Sequence, residues 1–173
     1  MLARAVSALR GAGAVRVSAV ASADVPGDLE TVRDVFEGKG ALGGIHAALA
    51  SAESDKVFVL GCDFPFITPE FIELLAGTEP GEDEGCIVPE QPDGMLQPLA
   101  AVYSKAKCFE KCAAILSDEN ASHAVAALLD SAGCKIIPFG EYSGLPNARR
   151  LLMNVNTPEE LERARDLAAS GKV

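Results

Sequence analysis

Apolar and polar positions change period repeatedly along the chain, and stretches of strand character alternate with stretches of helical character from end to end. That alternation predicts an α/β fold, a mostly parallel sheet with helices on both faces in a three-layered, Rossmann-like arrangement. Leu2, Val6 and Leu9 fall on one face of an opening helix. Gly11 and Gly13 turn the chain into a predicted strand over Val15–Val20. A polar connection from Ser22 to Asp28 leads to a short strand over Thr31–Val35. Leu42, Ile45 and Leu49 recur at helical spacing within Ala41–Ala52. The consecutive apolar residues of Lys56–Cys62 predict a strand buried on both faces, closed by Asp63.

Thr68 and Pro69 then signal a helix start, the first by capping free N–H groups and the second by its fixed φ. That helix should run to about Ala76. Strands are expected at Cys86–Pro89 and Gln97–Tyr103, helices at Lys105–Leu116 and Ser122–Ala132, and a strand at Cys134–Phe139. A short strand, Leu151–Val155, and a helix from Pro158 to about Ala169 complete the series, with Thr157 and Glu160 forming a capping box. No repeat or interdomain linker interrupts it, so residues 1–173 read as one domain.

Charge narrows the possible partners. With 25 acidic and 15 basic residues, the net charge of −10 gives no footprint for gripping nucleic acid. A small anion would need a local cationic or metal-bearing pocket. No stretch has the ~20 apolar residues of a membrane span, and the opening segment is a poor signal peptide. The five cysteines lack CxxC spacing, although Cys108 and Cys112 share a helix face. They read as reduced core thiols of a cytoplasmic protein rather than metal ligands.

Three stretches hold candidate chemistry. Asp63 directly follows a buried strand, at the carboxyl edge where α/β sheets bind ligands, and Phe64-Pro65 keeps the strand from continuing. A hard oxygen ligand there suits Mg²⁺ together with phosphate oxygens and water; the plainer reading is a carboxylate that ends a strand. EGKGALGGIHAAL, Glu37 to Leu49, carries four glycines into a helix and can turn backbone N–H groups toward a nucleotide. Such turns are also common as pure structure. In MNVNTPEEL, Asn154 and Asn156 alternate along an expected strand end and so point to one side, available to a ligand or to turn chemistry. His46 and His123 have no carboxylate or cysteine at metal or triad spacing and read as core or surface residues, and Ser104 and Ser143 lack the nucleophile-elbow pattern. Arg149 and Arg150, before the asparagine-bearing segment, and Lys39, among the glycines, could approach a phosphate, with a solvated loop as the plainer reading.

Taken in order, GKGALGGI, LGCDFPFITPEF, PDGMLQPLAAVYS and NVNTPEEL resemble the molybdenum-cofactor guanylyltransferases over essentially the whole chain. That family joins GMP from GTP to molybdenum-bearing molybdopterin and releases pyrophosphate. The resemblance implies Mg²⁺ as cofactor and GTP and molybdopterin cofactor as partners, with molybdoenzymes or molybdenum-insertion proteins as recipients. It makes Asp63 the metal-binding and catalytic aspartate and places Asp34 near the guanine. Gly40, Leu42 and Gly44 correspond to the glycine-rich segment beside the nucleotide. Asn154 and Asn156 fall on the active-site side, Asn156 with a catalytic role. Gln97 and Pro98, with Asp93 and Gly94 before them, belong to the segment flanking the pterin.

The departures bear on activity. The family opens with a strand, an Ala-Gly-Gly turn and an Arg-Met-Gly stretch with a lysine that grips the triphosphate, and nothing similar precedes Leu2. About 20–30 residues, most of one strand–loop unit, are unaccounted for, which puts turnover by the sequence as it stands in question. A start placed too far downstream, a shortened chain, and a degenerate relative that binds without turnover are the competing explanations. Ala41 stands where the family usually has proline. Two alternative functions follow: a non-catalytic molybdopterin-binding or partner-interaction module, and a related cytidylyl or sugar-phosphate nucleotidyltransferase.

Overall fold

The computed structural model describes residues 1–36 and 38–169. Helix α1 (Leu2–Gly11) leads to strand β1 (Ser18–Val20), then β2 (Glu30–Val32), α2 (Gly40–Ser51) and β3 (Lys56–Leu60). Next come α3 (Pro69–Gly77), β4 (Cys86–Pro89), β5 (Ala100–Ser104), α4 (Lys105–Ser117) and α5 (Val125–Ala132). The chain ends with β6 (Cys134–Ile137), α6 (Phe139–Tyr142), a 3-10 turn (Ala148–Arg150) and α7 (Pro158–Ala169).

The strands form two sheets. β1 and β2 pair in parallel, while a four-stranded sheet has the order β3-β5-β4-β6. In the larger sheet β5 runs antiparallel to both neighbours and β4 pairs in parallel with β6, so β3, β4 and β6 share one direction. The alternation of strand side chains divides the core. On one face Ile87, Ala100 and Val102 meet Ala8 of α1, Phe71, Ile72 and Leu75 of α3, and Tyr142 of α6. On the other face Cys86, Val88, Ala101 and Tyr103 meet Leu42, Ile45 and Leu49 of α2 and the apolar faces of α4 and α5. Helices thus cover both faces and the three-layer α/β expectation holds. Each fully buried Leu, Ile or Phe contributes about 1.5–3 kcal/mol to this packing.

Local chemistry sets the element ends. Thr68 Oγ1 accepts a hydrogen bond from Phe71 N at 3.4 Å, and Pro69 takes the first turn of α3. Ser104 Oγ accepts from Lys107 N at 3.3 Å to cap α4 and also donates to Asp55, so it is committed to structure. The capping box of α7 is formed: Glu160 N donates to Thr157 Oγ1 at 3.2 Å, and Thr157 N to Glu160 Oε2 at 3.1 Å. Gly133 ends α5 at φ +70°, where an added Cβ would collide with the Asp83 carbonyl, so only glycine fits.

Several sequence expectations need correction. The strand expected over Val15–Val20 is confined to Ser18–Val20, and Val15 is fully exposed. The second strand ends at Val32 rather than Val35, whose side chain is 72% exposed. β3 is only half-buried, because among the described residues its outer edge has no partner strand. α1 buries Ala5 and Ala8 most deeply, with Leu2, Val6 and Leu9 half-buried beside them and Leu9 packed on the core. Leu151–Val155 is not a strand: the 3-10 turn runs into an irregular segment that makes one backbone bond to the loop after β3 instead of a ladder. The alternation inferred for Asn154 and Asn156 therefore does not apply.

All five thiols are free. Cys108 and Cys112 are fully buried in α4, and burial pushes the Cys112 thiol up to about 12, which suits packing and not ligation.

Candidate active site

Carboxyl ends of parallel strands define the edge on which the candidate residues lie. β3 ends at Leu60, and Gly61 N donates to Leu99 O at 2.7 Å, which ties this end to the segment entering β5. Asp63 follows, half-buried, while its neighbours Phe64 and Pro65 are buried and fix the direction of the loop. Its Oδ1 folds back over Gly61, where a Cβ would intrude well inside van der Waals contact. The glycine is thus what lets the carboxylate take this position. Asp63 O accepts from Val155 N at 2.9 Å. One backbone bond therefore holds the segment carrying the exposed Asn154 and Asn156 side chains against the Asp63 loop.

The antiparallel course of β5 brings its entry to the same edge. Gln97 and Pro98 are half-buried there, with Gln97 N donating to Pro89 O at 2.9 Å. Two tyrosines position this rim. Tyr103 Oη donates to Pro98 O at 2.8 Å, and Tyr142 Oη donates to Glu90 O at 2.7 Å. Burial raises both phenols, Tyr142 to about 12, so each stays a protonated donor. The turn that carries Asp93 and Gly94 is closed by Met95 N donating to Asp93 Oδ1 at 3.1 Å, with Gly94 at φ +87°.

The nucleotide-side candidates gather at the start of α2. Asp34, two residues beyond β2, accepts from Phe36 N at 2.8 Å through Oδ1. Its Oδ2 packs on the first turn of α2, 2.5 Å from where a Cβ on Gly43 would stand. Gly40 is at φ +62°, and Lys39, the N-cap, makes no side-chain cap, so the first N–H groups of α2 open beside this carboxylate without a cap from Lys39. Gly44 is half-buried with open space where a side chain would be. Leu42 is fully buried in the core, so only its backbone can face a ligand. The structure thus groups Asp63, Gln97, Pro98, Asn154 and Asn156 on one side, and Asp34, Gly40, Leu42 and Gly44 on the other. β1 and the open edge of β3 lie between the groups.

The glycines Gly43 and Gly61 and the two tyrosines escaped the sequence reading. Gly43 sits in the glycine-rich stretch, but its specific signal, close approach of a carboxylate, is visible only in three dimensions. His46 is buried between rings, edge-on to Phe36 at 4.8 Å and stacked on Phe109 at 4.9 Å, and its Nδ1 has no hydrogen-bond partner among the described residues. Burial lowers its pKa against the opposing pull of Asp34. His123 lies near Lys39 Nζ at 3.5 Å, and Arg149 stacks over Phe139 at 5.4 Å.

Among the described residues no three His, Cys, Asp or Glu side chains converge as a metal cage. Asp63 is nevertheless a fitting Mg²⁺ ligand, a hard carboxylate cradled by Gly61, because this ion takes one or two carboxylates and completes its shell with phosphate oxygens and water. Among the described residues no helix is long and apolar enough to cross a membrane.

An α/β sheet with a carboxylate beyond one parallel strand, and a glycine-rich helix start beyond another, is an arrangement suited to handling a nucleotide at the carboxyl edge. Comparison gives the family: residues 1–132 match the MobA-like NTP transferase domain, and the chain belongs to that family. It is 32% identical over 141 residues to the molybdenum cofactor guanylyltransferase of Desulfosudis oleivorans, covering 81% of this chain and 67% of the relative. It is 35% identical over 155 residues to a protein of Pelotomaculum thermopropionicum named "Probable molybdenum cofactor guanylyltransferase", covering 83% and 67%. The chain spans about two thirds of the length of these relatives. Two solved structures share the fold. The molybdopterin-guanine dinucleotide biosynthesis protein A of Archaeoglobus fulgidus aligns at TM-score 0.70 and 24% identity, over 83% of this chain and 70% of its own. The 2-C-methyl-D-erythritol 4-phosphate cytidylyltransferase of Thermus thermophilus aligns at 0.66 and 15%, over 97% and 88%.

Proposed function

We propose that this chain is the nucleotide-handling part of a guanylyltransferase that transfers GMP from GTP to the phosphate of molybdenum-bearing molybdopterin, in the cytoplasm. A phosphate oxygen of the pterin attacks the α-phosphorus of GTP in line. The bond from that phosphorus to the bridging oxygen breaks, and pyrophosphate leaves with the electron pair. The attacking phosphate is already ionised near neutral pH, so no general base is required. Bound at Asp63 with the phosphates, Mg²⁺ would supply charge neutralisation.

The chain's own residues orient the two substrates. Asp34 accepts hydrogen bonds from the guanine, while Gly40, Gly44 and the Leu42 backbone line the nucleotide at the uncapped start of α2. Gln97 and Pro98 flank the pterin. Asn154 and Asn156 hold the acceptor, with Asn156 aligned on the reacting phosphate. The product passes to molybdenum-insertion proteins or molybdoenzymes. The observation that carries this reading is the backbone bond from Val155 N to Asp63 O, which holds the asparagine segment against the loop that bears the Asp63 carboxylate.

Isothermal titration of GTP with Mg²⁺ into the chain, repeated with Asp63→Ala, tests it. Magnesium-dependent binding that disappears in the folded variant is expected. Equal binding by both proteins refutes the assignment of Asp63, and CTP binding more tightly than GTP refutes the guanine reading.

A further inference from the structure

Cys134, Cys86 and Cys108 form a row of thiols on the sheet face that α4 and α5 cover. β4 and β6 pair in parallel with Cys86 opposite Cys134. Cys86 is fully buried in the core of that face, and Cys134 packs at the border of the same cluster. Neighbouring strands run ~4.8 Å apart, inside the ~4.4–6.8 Å between Cα atoms that a disulfide spans. Cys108 approaches from α4, and its Sγ stands 3.7 Å from the Sγ of Cys86. The Cys108 thiol donates to Gly85 O at 3.2 Å, which leaves Cys86 as the donor between the two sulfurs. That bond raises the Cys86 thiol and lowers the Cys108 thiol, so Cys108 is the first of the pair to ionise.

The row reaches solvent at one end. β6 is the last strand of its sheet, Cys134 is only half-buried, and Ile136 on the same face is 46% exposed. A small oxidant therefore meets Cys134 before the two inner thiols. Cys112, one turn further along α4, is engaged with Leu42 O at 3.6 Å. Cys62 lies beyond the end of β3, at the opposite edge of the sheet.

We propose that this row is an oxidative modification site, at which a peroxide converts Cys86 and Cys108 into a disulfide by way of Cys134. The Cys134 sulfur first takes the terminal peroxide oxygen. The O–O bond breaks, the remainder leaves as water or an alcohol with the thiol proton, and Cys134 becomes a sulfenic acid. Cys86 sulfur then bonds to Cys134 sulfur, and the departing hydroxide takes the Cys86 proton as water. The Cys108 thiolate finally attacks Cys86 and displaces the Cys134 thiolate, which takes up the proton that Cys108 gave up. Two thiol sulfurs are each oxidised by one electron, and one peroxide is reduced by two. The new bond closes a loop that holds β4, β5 and the turn between them, so it fastens the hairpin that carries Gln97 and Pro98 to α4. Disulfides of this kind in a reducing compartment are transient and redox-sensing. The proposal needs no substrate and stands apart from the guanylyltransferase reading.

The test uses the 173-residue chain with Cys62→Ser, which removes the exposed thiol at the other edge. Hydrogen peroxide is the probe, and the remaining thiols are alkylated in denaturant before peptide mapping. A peptide pair joined through Cys86 and Cys108 is expected, reversed by dithiothreitol, with circular dichroism unchanged. Adding Cys134→Ser, at a half-buried position that tolerates a hydroxyl, should slow its formation at least tenfold. Cys86 and Cys108 both recovered as alkylated thiols after Cys134 has been oxidised to a sulfinic acid overturns the proposal. An equal rate with Cys134→Ser overturns the entry through Cys134. A Cys86–Cys134 disulfide that accumulates without passing to Cys108 overturns the last step, and a bond that forms only in denaturant overturns the whole.

Discussion

Replacing Gly43 by alanine separates the cost of a misplaced carboxylate from the cost of unfolding. The new Cβ would stand 2.5 Å from Asp34 Oδ2 and 3.1 Å from Phe36 O. Ordinary carbon contacts begin near ~3.5 Å, so the carboxylate must retreat by roughly 1 Å. That retreat strains its bond from Phe36 N and moves the acceptor assigned to the guanine. Alanine in a helix is favoured over glycine by about 1 kcal/mol, which offsets part of the crowding. Thermal stability should therefore change little. A charge-assisted hydrogen bond is worth about 1.5–3 kcal/mol, so GTP should bind roughly ten- to a hundredfold more weakly. The assay is titration of GTP and ATP into both proteins alongside a thermal melt. Gly43→Ala that melts normally and keeps full preference for GTP over ATP would refute the placement of Asp34 at the base.

Four further outcomes follow from the packing and the site. Leu42→Ala should lower unfolding free energy by about 2–5 kcal/mol in urea while leaving the preference among nucleotides unaltered, because its buried side chain serves the core. Gly133→Ala should cost about 1–3 kcal/mol for the backbone alone, with an added clash against Asp83, and a melt within error of wild type would contradict it. Glu160→Ala should cost about 0.5–2 kcal/mol at the start of α7 by loss of the reciprocal cap, read as faster amide exchange there. His46 is held neutral by burial, so its folded pKa lies below the unfolded one. Its contribution is present above about 6.5 and is lost as pH falls through the folded value. His46→Leu should flatten the fall in stability as pH drops below about 6.5, and an identical pH profile for both proteins would remove His46 from the account.

Much of the fold was legible because the core residues keep their period. Leu42, Ile45 and Leu49 are all fully buried, and the capping signals at Thr68 and Thr157 both mark true helix starts. What the sequence obscured were matters of pairing. Val15 and Val35 look like strand residues but have no partner backbone, and without one β-propensity does not hold a strand. The apolar run of β3 suggests burial on both sides, yet burial depends on neighbours that periodicity does not specify. At the site, Asp63 was visible from its place after a strand. The contact that joins it to Val155 was not, because it spans most of the chain and runs through backbone atoms common to every residue. The roles of Gly43 and Gly61 depend on a carboxylate folding onto them, and no glycine count conveys that.

The reversed direction of β5 has a consequence for where the carboxyl edge can diversify. Because β5 re-enters at the edge where β4 leaves, the connection between them is a short turn whose base is clamped by the Glu90–Leu96 bridge and by Gln97 N on Pro89 O. The residues between those clamps contribute nothing to the sheet register. Doubling the length of such a turn costs only about 0.6 kcal/mol of closure entropy. Insertions at Gln91–Gly94 can therefore lengthen this turn at the carboxyl edge while the strands, the tyrosine tethers and the helix layers stay as they are, making it a place where the chain can grow at little expense to folding.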